Sequence, residues 1–257
     1  MKGLIKISDK ISIRGVLVDN INMDEAACII DSYAASHTFH AVFTPNAEIV
    51  ELCVEDPAMK ELVNSADLVV PDGAGVVLAS KILGTPLKEK VAGVDLGRRA
   101  IALSEAHGYR IYFLGGKPGV AKLAEEKLRE AYPDFVCVGM HDGYFQKSGE
   151  EADAVLDEVI DAHPDILFVC LGVPVQEKFI FEHKDKLKEI GLILALGGSL
   201  DSYAGTVKRA PELFIKLNLE WFYRLIKEPR RIGRMMKLPK FIFGTIFYKL
   251  TRKDKAQ

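Results

Sequence analysis

The sequence predicts an α/β fold: a mainly parallel, Rossmann-like sheet with helices on both faces, plus a C-terminal helical appendage suited to docking on a membrane. Three observations carry this. Short apolar, β-branched runs alternate with longer helix-like stretches up to about residue 200. Those runs are nearly continuous in apolar residues, as strands covered on both faces are. Near Lys208 the strands stop, and the chain becomes helical, basic and aromatic. The division that follows is an α/β body over 1–207 and an appendage over 208–257.

Residues 11–19 read as a strand, and Asn22 as the N-cap of a helix to about Tyr33. Residues 40–43 form the next strand, stopped by Thr44-Pro45-Asn46 and followed by helical sequence to about Ala66. Residues 68–70 are a short strand ending at Pro71-Asp72-Gly73. Residues 109–114 end at Gly115-Gly116, with a helix from Pro118 to about Ala131. Residues 135–138 lead to His141-Asp142-Gly143-Tyr144-Phe145, and a helix follows from about Glu150. Residues 166–171 end at Gly172-Val173-Pro174 before a helix to about Lys188, and 192–196 end at Gly197-Gly198. In open α/β sheets the ligand crevice lies at the carboxyl ends of the strands. Thr44, Asn46, Asp72, Gly115, Gly116, Asp142, Gly172 and Gly197 are therefore directed to one rim.

The net charge of -2 conceals an asymmetry. Residues 208–257 hold 14 Lys/Arg against 4 Asp/Glu, whereas 1–207 hold 20 against 32. The tail suits an anionic surface and the body does not. Eight of the 22 aromatic residues also fall in these last 50. Aromatics beside cations describe an interfacial anchor. Nucleic acid is the competing polyanion, but the two apolar stretches of the tail favour lipid; a helical lid packed on the body's acidic face is the alternative. The first ten residues lack the apolar core of a signal peptide, and no run approaches the roughly 18 apolar residues of a spanning helix. Cys28, Cys53, Cys137 and Cys170 lie far apart in apolar runs and read as buried thiols of a reducing cytosol. No metal site built by the protein is expected, since the histidines show no ligand spacing.

At the rim, Gly115-Gly116-Lys117-Pro118-Gly119 reads as a phosphate-binding turn or simply as a tight strand-to-helix turn. Lys117 occupies the second glycine position of a GxGxxG motif, which disfavours a dinucleotide fold. Asp72 suits a general base, or the N-cap of a helix starting near Ala74. Thr44-Pro45-Asn46 offers either ligand contacts or an Asn cap after a rigid turn. Gln176 and Glu177 would bind a polar ligand or simply occupy a first helical turn. Asp201 would hold ribose or sugar hydroxyls, or end a strand.

These motifs, with Gly93-Val94-Asp95-Leu96, Arg209-Ala210-Pro211 and Leu219-Glu220-Trp221-Phe222-Tyr223-Arg224 before Glu228-Pro229, resemble the TagA/WecG/CpsF glycosyltransferase family from about residue 11 to 235. The resemblance implies an inverting, metal-independent transfer, without a cofactor, from a UDP-sugar donor. The sugar is typically N-acetylmannosamine. The acceptor is a polyprenyl-diphosphate-linked GlcNAc on the inner face of the cell membrane, where the cytoplasmic enzyme sits peripherally on the anionic surface. The step belongs to wall teichoic acid or surface polysaccharide synthesis. The resemblance puts the base on Asp72, acceptor-pocket residues on Thr44 and Asn46, and substrate contacts on Gln176, Arg209, Arg224, Arg231 and Arg234. Lys90 stands where the family often has arginine, keeping the charge without the bidentate fork. Beside these, Gly115, Gly116, Gly172 and Asp201 are candidate substrate-binding positions. A homo-oligomer is compatible with the sequence. A nucleotide-dependent oxidoreductase and a non-catalytic membrane scaffold are the readings from other classes.

Overall fold

The computed structural model describes residues 9–207, 211, 214, 223 and 237–253. The chain opens with an antiparallel hairpin, β1 (Lys10–Ile13) and β2 (Val16–Asp19), where one strand was expected. The turn falls at Arg14 and Gly15, both at positive φ (53° and 97°). Asn22 and Glu25 form a reciprocal capping box at the start of α1 (Met23–Ala34). After β3 (Ala41–Phe43) the expected single helix is two, α2 (Ala47–Glu55) and α3 (Pro57–Asn64). Pro57 disfavours helical geometry at the residue before it, so Asp56 is extended and instead caps α3 through the N–H groups of Ala58 and Met59.

Then follow β4 (Leu68–Val69), α4 (Ala74–Leu83), α5 (Gly93–His107), β5 (Arg110–Gly115) and α6 (Val120–Arg129). They lead to β6 (Val136–His141), α7 (Glu150–Asp161), β7 (Ile166–Cys170) and α8 (Val175–Glu182). The chain continues with β8 (Leu192–Ala195), α9 (Ser199–Tyr203) and, at its end, α10 (Lys237–Lys253).

Six strands form one sheet in the order β4-β3-β8-β7-β5-β6, every neighbour parallel. Because side chains alternate along a strand, the sheet feeds two cores. Phe43, Leu114, Leu167, Val169 and Ile193 pack with α2, α3, α7 and α8. Val42, Ile111, Phe113, Phe168 and Leu194 pack with α1, α5, α6 and α9. The parallel sheet with helices on both faces is the expected architecture. The connection after β5 runs outward to β6, and the one after β7 runs back to β8. Their carboxyl ends therefore part at a topological switch point, where such sheets open their crevice.

The last helix does not stand apart from the body. α10 lies across α2 and α4, with Phe241 and Thr245 fully buried. Lys237 pairs with Glu48 at 3.0 Å, and Lys240 with Glu55 at 2.5 Å and Glu51 at 3.9 Å. Arg14 pairs with the same Glu51 and lies over the Phe241 ring. The idea of a helix packed on an acidic face thus describes α10 well. The apolar run 241–248, expected to face lipid, is divided: Phe241 enters the core while Phe243, Ile246 and Phe247 face outward with Leu250. Among the described residues no helix is long and apolar enough to cross a membrane.

Candidate active site

At one end of the rim, backbone bonds tie the loops after β3 and β4 together. Val70 N–H donates to Phe43 at 2.9 Å, and Asp72 N–H to Pro45 at 3.2 Å. Val91 N–H donates to the Pro71 carbonyl at 2.9 Å, drawing Lys90 to the same corner. Asp72 is half-buried there. The N-cap of α4 is Gly73, at φ 86°, so Asp72 precedes the capping position. Asn46 is the cap of α2: its Oδ1 accepts from the N–H groups of Glu48 and Ile49 at 2.9 and 3.1 Å. That leaves its amide nitrogen as the end that can meet a ligand. Thr44 is buried, and its hydroxyl donates to the Ala195 carbonyl at 3.0 Å, joining β3 to β8.

At the other end, the rim is made of backbone. Gly115 sits at φ 126°, and a side chain there would overlap the Cys170 carbonyl. Gly116 N–H donates to that carbonyl at 3.1 Å, and its own carbonyl accepts from Gly143 N–H at 2.8 Å. The Gly116 amide is therefore engaged within the protein rather than turned to a phosphate. The first turn of α6, whose N-cap, Gly119, carries no capping side chain, is the better candidate for an anion at this end. Asp142 accepts from Tyr144 N–H at 2.8 Å, shaping the β6 loop.

Between the two ends, Gly172 (φ 79°) and a cis Val173–Pro174 peptide lead into α8. Spacing alone allowed Gln176 and Glu177 to be surface residues of a first turn; both are buried. Gln176 Oε1 accepts from Gly197 N–H at 2.9 Å, and its Nε2 donates to Glu177 Oε1 at 2.9 Å. Gln176 thus binds the β7 loop to the β8 loop. Glu177 Oε2 is buried without a hydrogen-bond partner among the described residues. Burial pushes the Glu177 carboxyl up to about 7, opposed by the Gln176 hydrogen bond. Asp201 lies on α9, not at a strand end, and accepts the Thr206 hydroxyl at 3.2 Å.

Lys90 lines a groove between α4 and α10. Arg209, Arg224, Arg231 and Arg234 lie outside the described residues. Asp72 and Gly115 are four strand positions apart, about 19 Å at the usual strand spacing. Two thiols depart from expectation: Cys137 is only half-buried, and Cys28 is exposed, because α1 turns Ala26, Ile29 and Ile30 inward and leaves Cys28 on its outer side. Burial pushes the Cys53 and Cys170 thiols up to about 12. Among the described residues no three His, Cys, Asp or Glu side chains gather as metal ligands do.

Two features were not legible beforehand. The acidic stripe Glu48, Glu51 and Glu55 runs along one side of α2 to meet Lys237 and Lys240. Its i, i+3, i+7 spacing was the available signal. The outward apolar residues of α10 carry the same periodicity at Phe243, Phe247 and Leu250.

A parallel sheet whose strand order reverses between β5 and β7, with a carboxylate on the same rim, has the architecture of a ligand-binding α/β protein, and the same sheet carries many chemistries. The chain belongs to the glycosyl transferase WecG/TagA/CpsF family, which it matches over residues 11–255. It is 36% identical over 205 residues to the N-acetylglucosaminyldiphosphoundecaprenol N-acetyl-beta-D-mannosaminyltransferase of Bacillus spizizenii, covering 80% of this chain and 78% of that protein. The enzyme of the same name from Bacillus subtilis is 34% identical over 224 residues, 84% of this chain and 86% of its own. That from Staphylococcus aureus is 34% identical over 236 residues, 91% of each chain.

Proposed function

We propose that this chain transfers N-acetylmannosamine, or a closely related sugar, from UDP to undecaprenyl-diphosphate-linked GlcNAc, with inversion and without a metal, in wall teichoic acid or surface polysaccharide synthesis. The observation that carries this is the 34–36% identity, along most of the chain, to enzymes whose names state that acceptor and that sugar. The rim geometry supports it. With about 19 Å between the glycine turn and Asp72, an extended donor has its nucleotide at the β5–β7 switch point and its sugar toward β3 and β4.

Asp72 takes the proton from the acceptor hydroxyl as that oxygen attacks the anomeric carbon; the bond to the diphosphate oxygen breaks and UDP leaves. Single displacement inverts the anomeric centre. The charge developing on the departing diphosphate is met by Arg224, Arg231 and Arg234 of the tail. Work at the inner face of the membrane follows from a lipid-linked acceptor and a basic, aromatic tail.

The test is UDP release across a panel of UDP-sugars with a short-chain lipid-diphosphate GlcNAc acceptor, with and without EDTA. UDP-N-acetylmannosamine should give the fastest turnover, unchanged by EDTA. No UDP release with any donor would overturn the reading, and loss of activity in EDTA would overturn its metal-free part.

A further inference from the structure

α4 and α10 cross closely at Gly75, where an added side chain would meet Leu238 and Ala47. Beside that crossing the helices part, leaving a groove of about 560 Å³. Its walls are apolar, chiefly Val77, Leu78, Ile242 and Phe243, and its charged lining residues are Lys81 and Lys90, both cationic. The apolar surface does not end at the groove. Leu78 is 47% exposed, Phe243 72%, Phe247 68% and Leu250 59%. The last three follow one another at helical spacing, extending the strip about 10 Å along α10 beyond Phe243. Exposed apolar side chains aligned with a groove mark a binding surface rather than a packing fault.

The groove is also placed with respect to the chemistry. Its lining begins at Ala74, two residues after Asp72. Lys90 is held at that end, since the next residue, Val91, is bonded to the Pro71 carbonyl. Moving away from Asp72, the order is therefore a carboxylate, the Lys90 cation and a long apolar track flanked by a second cation, Lys81. A ligand matching that order has a sugar hydroxyl, then an anionic linkage, then a hydrocarbon chain.

We propose that the α4–α10 groove holds the isoprenoid chain of the acceptor lipid, with Lys90 on its diphosphate. The inference rests on the acceptor class given under Proposed function, and it gives Lys90 a role on the acceptor. α10 then does more than brace the body: it is one wall of the acceptor site.

The test reads binding without turnover. Calorimetry on the full chain compares farnesyl diphosphate, which has the chain and the anion but no sugar, with inorganic diphosphate. Leu78→Glu and Phe243→Glu put a charge in the track at exposed positions; Leu78→Gln and Phe243→Ser serve as milder versions, with circular dichroism and melting temperature checking each fold. Farnesyl diphosphate should bind the unmodified chain at least about tenfold more tightly than inorganic diphosphate, and each acidic variant should remove most of that advantage. Lys90→Gln should weaken both ligands. The proposal fails if farnesyl diphosphate binds no better than inorganic diphosphate, or if folded groove variants bind it unchanged. The functional reading is separable: the binding pattern can hold while no UDP is released with lipid-linked acceptor, which sinks that reading and leaves the groove. Turnover with an acceptor KM untouched by the groove variants sinks the groove alone.

Discussion

The two ends of the rim are built from different materials. At the β3–β4 end the candidate groups are side chains, Thr44, Asn46 and Asp72, on loops tied together by backbone bonds. At the β5–β7 end, backbone does the work: Gly115, Gly116 and Gly172 at positive φ, packed against the Cys170 carbonyl or turning into α8. The difference teaches which property each end controls. A carboxylate can be replaced without moving the chain, so damage at the first end should appear in rate. A glycine in such a turn cannot be replaced without moving the chain, so damage at the second should appear in stability and donor binding.

The sharpest break comes from Asp72→Asn, which should lower kcat by roughly 10²- to 10⁴-fold while UDP binding by calorimetry stays unchanged. A near-normal kcat would put the base elsewhere. Next is Gly115→Ala, which forces a side chain into φ 126° and against the Cys170 carbonyl. It should cost roughly 3 kcal/mol in chemical denaturation and weaken UDP binding. Unchanged stability would show that this turn relaxes easily and blur the contrast between the ends.

Glu177 lies between the ends and gives a pH-dependent effect. Its folded pKa is raised to about 7 from an ordinary 4.5, by burial first. The folded state thus keeps a proton that the unfolded state loses. The stability this confers is complete below about pH 4.5 and is lost as pH rises through 7. Glu177→Gln should therefore raise the melting temperature at pH 8 and have little effect at pH 5. An equal effect at both would show that the buried carboxyl is not the source. The smallest change is Thr44→Val, which removes the hydroxyl from the Ala195 carbonyl and should cost about 1 kcal/mol in denaturation.

The sheet and its rim were legible because buried parallel strands are continuously apolar and end at glycine, proline or asparagine. Asn22 and Asn46 as caps follow from local chemistry alone. The hairpin at Arg14 was not legible, since a single glycine within an apolar run gives little sign that the chain reverses. The break at Asp56 was available from Pro57, but the apolar periodicity continued across it. Gln176 shows the deeper limit. Its spacing suited a surface residue, and only the folded chain reveals that a residue 21 positions away, Gly197, is its partner. The 14 cations of the tail also hid two uses: Lys237 and Lys240 face the acids of α2. Deleting everything after residue 207 would therefore bare the seat of Phe241 as well as removing the arginines proposed to meet the donor diphosphate.

The clasp between α10 and α2 has a consequence for how the protein is made. Lys237 and Glu48 are 189 residues apart in the chain. At about 5–20 residues per second, a ribosome takes roughly 10–40 s to go from one to the other. Throughout that time α4 has nothing of α10 against it, and the Phe241 seat stands open beside a folding sheet. A nascent chain therefore completes the sheet and its rim before the helix that covers α2 and α4. On the acceptor site proposed above, one wall of the groove is then the last part of the protein to form.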